Sequence, residues 1–269
     1  MKTLFTGLSN TLAWLLALAW IFPLLYAFWA AFHSAEYTTH FSLFAPIELS
    51  NFYTAWQQAP FLHYMVNTFA ITTLTLISQL IVCTLAAYAL ARIPFRGRAV
   101  VFSFVIMQLM VAPEILIVEN YQTLAYFGMI DSYAAVALPY IASAFGIFLL
   151  RQSFKTVPLD LENAAKLEGC NLLQIIWKVY VPLAKPTYLA YALVSISTHW
   201  NNFLWPLVAT NTENSRPLTV GLSIFGAPES GVNWAIICAG TLISIAPLLV
   251  MFIVFQKQFI QSFMHAGIK

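Results

Sequence analysis

The sequence predicts an all-α integral membrane protein with six transmembrane helices, and three observations carry that prediction. Of its 269 residues, 61% are hydrophobic and 8% charged, whereas a soluble domain carries about one quarter charged residues. The apolar residues gather into six stretches, 12–32, 67–91, 99–117, 133–150, 187–208 and 234–255, each near the roughly 20 residues that a bilayer core requires. With the amino terminus inside, all of the 12 Lys and Arg residues except Arg216 fall in or beside cytoplasmic segments, the side that retains basic loops.

Each element has its own justification. The first span follows Lys2 alone, is full length, and ends in bulky Trp29 and Phe32 where a cleavage site would need small residues, so it is expected to remain as a helix and not to be a signal peptide. The outside loop after it holds Tyr53, Trp56 and Phe61, aromatic residues suited to the membrane interface. Arg92, Arg96 and Arg98 hold the connection between spans two and three inside. Within span three Glu114 follows Pro113, and at about 1.5 Å per residue from Ala99 it should lie near the outer interface. It is either an interfacial carboxylate or part of an outer gate. Glu36, Glu48, Asp131, Glu213 and Glu229 fall outside, while Lys257 and Lys269 make the tail basic. The expected product is a multi-pass protein of the bacterial inner (plasma) membrane with both termini cytoplasmic.

The connection between spans four and five, 153–185, is polar and reads as two helices. Thr156, Pro158 and Asp160 are start residues. Asp160 and Glu162 place negative charge at the amino end, and Glu162 with Lys166 is a favourable i, i+4 pair. Gly169 is expected to stop the first helix as its C′ residue, and Asn171 with Gln174 to cap a second. Leu172, Leu173, Ile175, Ile176, Val179 and Tyr180 then form an amphipathic face. Small Ala164 and Ala165 in the first helix would let another backbone approach closely, which suits docking into a partner protein. The other reading, a helix lying on the lipid surface, requires more apolar area than this helix has.

In span five, Tyr188, Tyr191, Ser195, His199 and Asn202 recur every three or four residues and share one face, with Thr198 and Asn201 beside it. Such groups cannot face lipid without losing several kcal/mol each. They therefore either bond neighbouring helices or line a path for a hydroxylated solute. No Lys or Arg lies within a predicted span, so a phosphorylated solute would find its positive partner on another chain.

Other functions find no support. Cys83, Cys170 and Cys238 form no C-x-x-C pair and read as packing residues. The 10 glycines give no phosphate-binding P-loop, and the 5 histidines no H-E-x-x-H. There is no G-x-S-x-G either. A net charge of +2 offers no basis for nucleic-acid binding. A gradient-driven secondary transporter is the alternative transport class, but it would need ionisable groups inside the spans, where Glu114 is the only carboxylate.

The segment "LENAAKLEGCNLLQIIWKVYVPLAKP" resembles the cytoplasmic signature of permease subunits of bacterial ATP-binding cassette (ABC) importers, Glu-Ala-Ala, three residues, Gly, then an aliphatic-Pro. Asn163, Ala164 and Ala165 occupy the triplet, Glu168 the acidic position, Gly169 the glycine, and Val181-Pro182 the end. Asn163 replaces the triplet's Glu, although Glu162 precedes it. "AAYALARIPFRGR", "WNNFLWPL", "LTVGLSIF" and "QKQFIQSF" resemble the shorter permease of the carbohydrate branch, and "MIDSYAAVALPYIASAFGIFLLRQSF" the glycerol-3-phosphate group. The resemblance implies the type I importer permease fold over a single domain, 1–269, with 153–185 as its coupling-helix loop. Glu162, Asn163, Ala164, Ala165, Glu168 and Gly169 would couple to the ATPase, and Tyr188, Tyr191, Ser195, His199, Asn202 and Glu114 would border the path. The chain itself would need no cofactor, because ATP and Mg²⁺ belong to the partner ATPase. A second permease, two ATPase copies, an external solute-binding protein and the lipid bilayer are the implied partners. His265-Ala266-Gly267 stands where relatives carry a Gly-containing tail that reaches the ATPases.

Overall fold

Proline and polar breaks, more than hydropathy, decide how the predicted spans are built in the computed structural model. The structure describes residues 2–40, 42, 44–223 and 232–267, with side chains for 10–38, 40, 42, 44–223 and 232–256. Glu229 and the side chains of Lys257, Lys269 and His265-Ala266-Gly267 lie outside these. Among the described residues the chain is helical and has no strand.

Three spans are single helices: Asn10–Ala31 within α1 (Lys2–Ala31), α4 (Phe61–Arg92), and Trp234–Gln256 within α14 (Trp234–Gly267). The other three predicted spans are each built from two helices. The third splits into α5 (Arg98–Gln108) and, after a 3₁₀ turn at Pro113–Leu116, α6 (Ile117–Tyr126), bent by 92°. Pro113 offers no N–H, and Ala112 before it is extended (φ −68°, ψ 130°), as the pre-proline position prefers. α5 alone is roughly 16 Å long, about half the hydrocarbon thickness. The fourth comprises α7 (Tyr133–Ala137), a 3₁₀ turn at Leu138–Tyr140, and α8 (Ala144–Thr156), bent by 51°. Ser143 restarts the helix by accepting the Gly146 N–H at 3.2 Å. The fifth is α12 (Lys185–Trp200) and α13 (Leu204–Ala209), interrupted at Asn201, Asn202 and Phe203.

The chain forms two units, 1–61 with 221–247, and 62–220 with 248–269. In the first, α2 (Ala35–Thr39) and α3 (Ser50–Gln58) follow α1. The buried Asn51 side chain donates to the carbonyls of Ala31 (3.1 Å) and His33 (2.8 Å), satisfying acceptors that the end of α1 leaves open. In the second, Cys83, Ala87, Tyr88 and Leu90 of α4 share one apolar core with Leu150 and Phe154 of α8 and with residues of the 153–185 connection. A second core joins Ile71, Leu124, Ala135, Val136, Trp205 and Ala209. Gly146 permits the close packing of α8: a Cβ there would sit 2.7 Å from Tyr191 Cζ and 3.0 Å from Cys83 Sγ.

Candidate functional site

The 153–185 connection folds from local signals as the sequence predicts. α9 (Leu159–Leu167) has Asp160 and Glu162 in its first turn, and Lys166 Nζ lies 2.7 Å from Glu162 Oε1. Gly169 ends it with φ +79°. The Gly169 N–H donates to the Lys166 carbonyl and the Cys170 N–H to that of Ala165, both at 3.0 Å, which is a Schellman closure. Asn171 and Gln174 then form a reciprocal capping box (2.9 and 2.8 Å) that opens α10 (Leu172–Ile175). The next five residues, Ile176–Tyr180, are π-helical, and α11 (Val181–Leu183) completes the segment.

The apolar face of this segment is only partly buried. Ile175, Ile176 and Tyr180 enter the core as the amphipathic pattern predicts, but Leu172 and Leu173 remain exposed. In α9, Ala165 and Glu162 turn inward, at 9% and 5% exposure, while Asn163, Ala164, Glu168 and Gly169 face out. Leu167 (90% exposed), Leu161 and Trp177 add apolar surface that sequence reasoning did not single out.

Besides the expected pair with Lys166, Glu162 makes two bonds that sequence reasoning missed. Its carboxylate accepts from Lys166, from the Tyr180 hydroxyl and, at 3.2 Å, from the Tyr88 hydroxyl on α4. Burial alone would raise its pKa. The Lys166 and Tyr180 bonds, Lys166's charge and the Tyr88 bond outweigh that and hold the carboxyl below its ordinary value. It is therefore ionised at neutral pH. Nearby, Arg92 donates to the carbonyls of Phe154 and Val157.

The α12 stripe turns towards α4. Tyr191 and Ser195 are buried and donate to Gln79 Oε1 at 2.8 and 2.6 Å. Gln79 Nε2 donates to the Tyr140 carbonyl (2.7 Å) and lies 3.0 Å from His199 Nε2. Because a carbonyl only accepts, the Gln79 atom facing it is the amide nitrogen. His199 Nε2 must then accept, which puts the neutral imidazole's proton on Nδ1. Tyr188 pairs with Thr84 at 2.6 Å. His199 and Asn202 are half-buried at the far end, and Glu114 is exposed on the turn that bends span three. An amide in the middle of span two was the available signal for Gln79, since it must find a partner inside the bilayer.

On the other side of the unit, Asp131 adopts φ 66° and accepts from the backbone N–H groups of Asn211 and Thr212 and from the hydroxyls of Thr212 and Ser215. Burial opposes ionisation, but the Ser215 hydroxyl, then the Thr212 and Asn211 donors, hold its carboxyl well below the usual range. Among the described residues no group of three or more His, Cys, Asp or Glu could hold a metal.

Residues 83–263, well over half the chain, match the family of binding-protein-dependent transport system inner membrane components. The chain belongs to this family. It is a permease subunit of an ABC importer, not an enzyme. The arabinooligosaccharides transport system permease protein AraQ of Halalkalibacterium halodurans is 31% identical, over 97% of this chain and 98% of that protein. The sn-glycerol-3-phosphate transport system permease protein UgpE of Salmonella choleraesuis is 29% identical over 90% of each. A solved bacterial ABC transporter involved in importing the acidic polysaccharide alginate contains a chain with TM-score 0.83 and 27% identity, covering 96% of this chain and 97% of that one. The permease thus has the type I importer fold, with its bent spans within that architecture.

Proposed function

We propose that this permease forms half of the translocation path for a sugar, polyol or glycerol-3-phosphate-like solute. A second permease forms the other half, two copies of a separate ATPase supply the energy, and an external solute-binding protein delivers the solute. Both termini and residues 153–185 face the cytoplasm, as the basic residues require. The observation that carries the reading is α9, closed at Gly169 and presenting Asn163, Ala164 and exposed Leu167 outward from a base packed into the permease core. That surface docks in the ATPase. Glu168 and Gly169 shape its end, while Ala165 and Glu162 hold it from behind.

His199 and Asn202 border the solute path, with Glu114 near its outer end. Tyr188, Tyr191 and Ser195 support that wall through α4. Hydroxyls and amides suit a hydroxylated solute. Proteoliposomes holding the permease, the second permease and the ATPase, supplied with the binding protein, should take up an oligosaccharide or polyol only when ATP is enclosed. Uptake driven by an ion gradient without the ATPase would overturn the assignment. An engineered thiol at Asn163 should react with an impermeant reagent only from the cytoplasmic side.

A further inference from the structure

On the assumption that the permease reading above is right, we propose that the Glu162 carboxylate is a clasp through which α9 moves α4, and that Tyr88 and Tyr180 are its positioning residues. Docking places Asn163 and Ala164 against the ATPase, but docking alone moves only a surface loop. Force must pass from α9 into a membrane-spanning helix. Tyr88 carries the side-chain hydrogen bond that joins the Glu162 carboxylate to α4, 74 residues distant. Tyr180 is fully buried and donates to the other carboxylate oxygen from the π turn. The two phenol rings meet edge to face with centroids 5.1 Å apart, so each holds the other's hydroxyl on the carboxylate.

The chemistry suits a tether. Hydrogen bonds to a charged acceptor are roughly twice as strong as neutral ones, and a carboxylate has lone pairs for all three donors. Lys166 neutralises the charge from within α9. Once gripped, α4 has no break between Phe61 and Arg92, and it carries Thr84 and Gln79, which hold Tyr188, Tyr191, Ser195 and His199 of α12. A displacement of α9 therefore reaches the α12 stripe through one continuous helix.

The experiment measures, in the reconstituted full complex, ATP hydrolysed per solute imported for Tyr88→Phe, Tyr180→Phe and Glu162→Gln. Each should assemble with the ATPase, and the ATP consumed per solute should rise by about tenfold, the size of an ordinary coupling free energy. A ratio that stays at the wild-type value in the two Tyr→Phe variants overturns the clasp, whether or not uptake falls. Failure of all three to assemble also overturns it, in favour of a fold-stabilising contact. If the unsubstituted permease shows no ATP-dependent uptake, the transport assignment itself has failed, and that result is distinguishable because it precedes any substitution.

Discussion

Arg92 and Arg151 each bind the backbone near the end of the other's helix. Arg92 of α4 donates to the carbonyls of Phe154 and Val157 where α8 ends, and Arg151 of α8 donates to Leu90 of α4 at 3.1 Å. Helix carboxyl ends leave carbonyls unpaired and carry partial negative charge. The Arg151 guanidinium also lies 3.7 Å from the centroid of the Phe102 ring, and that of Arg92 lies over Tyr180. Replacing Arg92 with Met should destabilise the purified permease by about 2–3 kcal/mol, because a charged donor is lost and buried carbonyls remain. Thermal unfolding in detergent would measure this, and Arg92→Lys should rescue little, since a point-charge ammonium loses the guanidinium's planar contact with the Tyr180 ring.

Gly146→Ala places a methyl 2.7 Å from Tyr191 Cζ and 2.9 Å from Cε2, ring atoms that cannot move without breaking the bond to Gln79. Overpacking of this kind costs about 1–3 kcal/mol. The melting temperature should fall, and Gly146→Ser should fall further. An unchanged melting temperature would mean that α8 and α12 slide apart freely.

Leu161→Ser with Leu167→Ser removes exposed apolar surface from α9 without touching the core. Recovery of the ATPase with the tagged permease should drop, by at least about 1 kcal/mol, as truncation of a dominant interface contact does, while the melting temperature of the permease alone holds. Undiminished recovery would place the ATPase contact elsewhere.

Asp131→Ala removes the acceptor that gathers Asn211, Thr212 and Ser215. Amide exchange at 211 and 212 should accelerate by at least about tenfold, as loss of hydrogen bonds to a charged group implies. For the unsubstituted chain the sign follows from the lowered pKa. The stabilisation is complete above the unfolded value, near 3.9, and is lost only as pH falls through the lower folded value. Protection should therefore be level from neutral pH to about pH 5 and decline only in stronger acid.

His199→Ala and Asn202→Ala should lower uptake of a hydroxylated solute while complex assembly and binding-protein docking persist. Normal uptake by both would reduce the stripe to helix packing.

Local chemistry made α9 legible before any coordinates. Its acidic first turn, the Glu162 and Lys166 pair, the Gly169 stop and the Asn171 cap all act within a few residues, and each stands as expected. The tyrosine partners of Glu162 did not show in that way, because Tyr88 is 74 residues distant and nothing in its own neighbourhood marks it. Hydropathy found the apolar stretches but ran through the breaks at Pro113 and at Asn201 to Phe203, since composition within a window is blind to a missing N–H. The stripe on α12 was readable as a face. That it meets Gln79 was not, although an amide deep in a span called for some partner.

The π turn at Ile176–Tyr180 has a consequence for how this loop tolerates change in length. Such a turn holds one more residue than the α-helix it interrupts, and each residue of an α-helix rotates the chain by about 100°. Regular α winding with every residue kept would advance Tyr180 by about that angle, off the carboxylate and away from the Tyr88 ring, so the wide turn is what lets the loop carry its additional residue with Tyr180 in place. A single-residue deletion inside the turn should therefore be tolerated, because it returns the turn to α-helix without re-aiming Tyr180, whereas a deletion between Glu162 and Asn171 should not. What the segment fixes is the aim of Tyr180, and the wide turn is its slack.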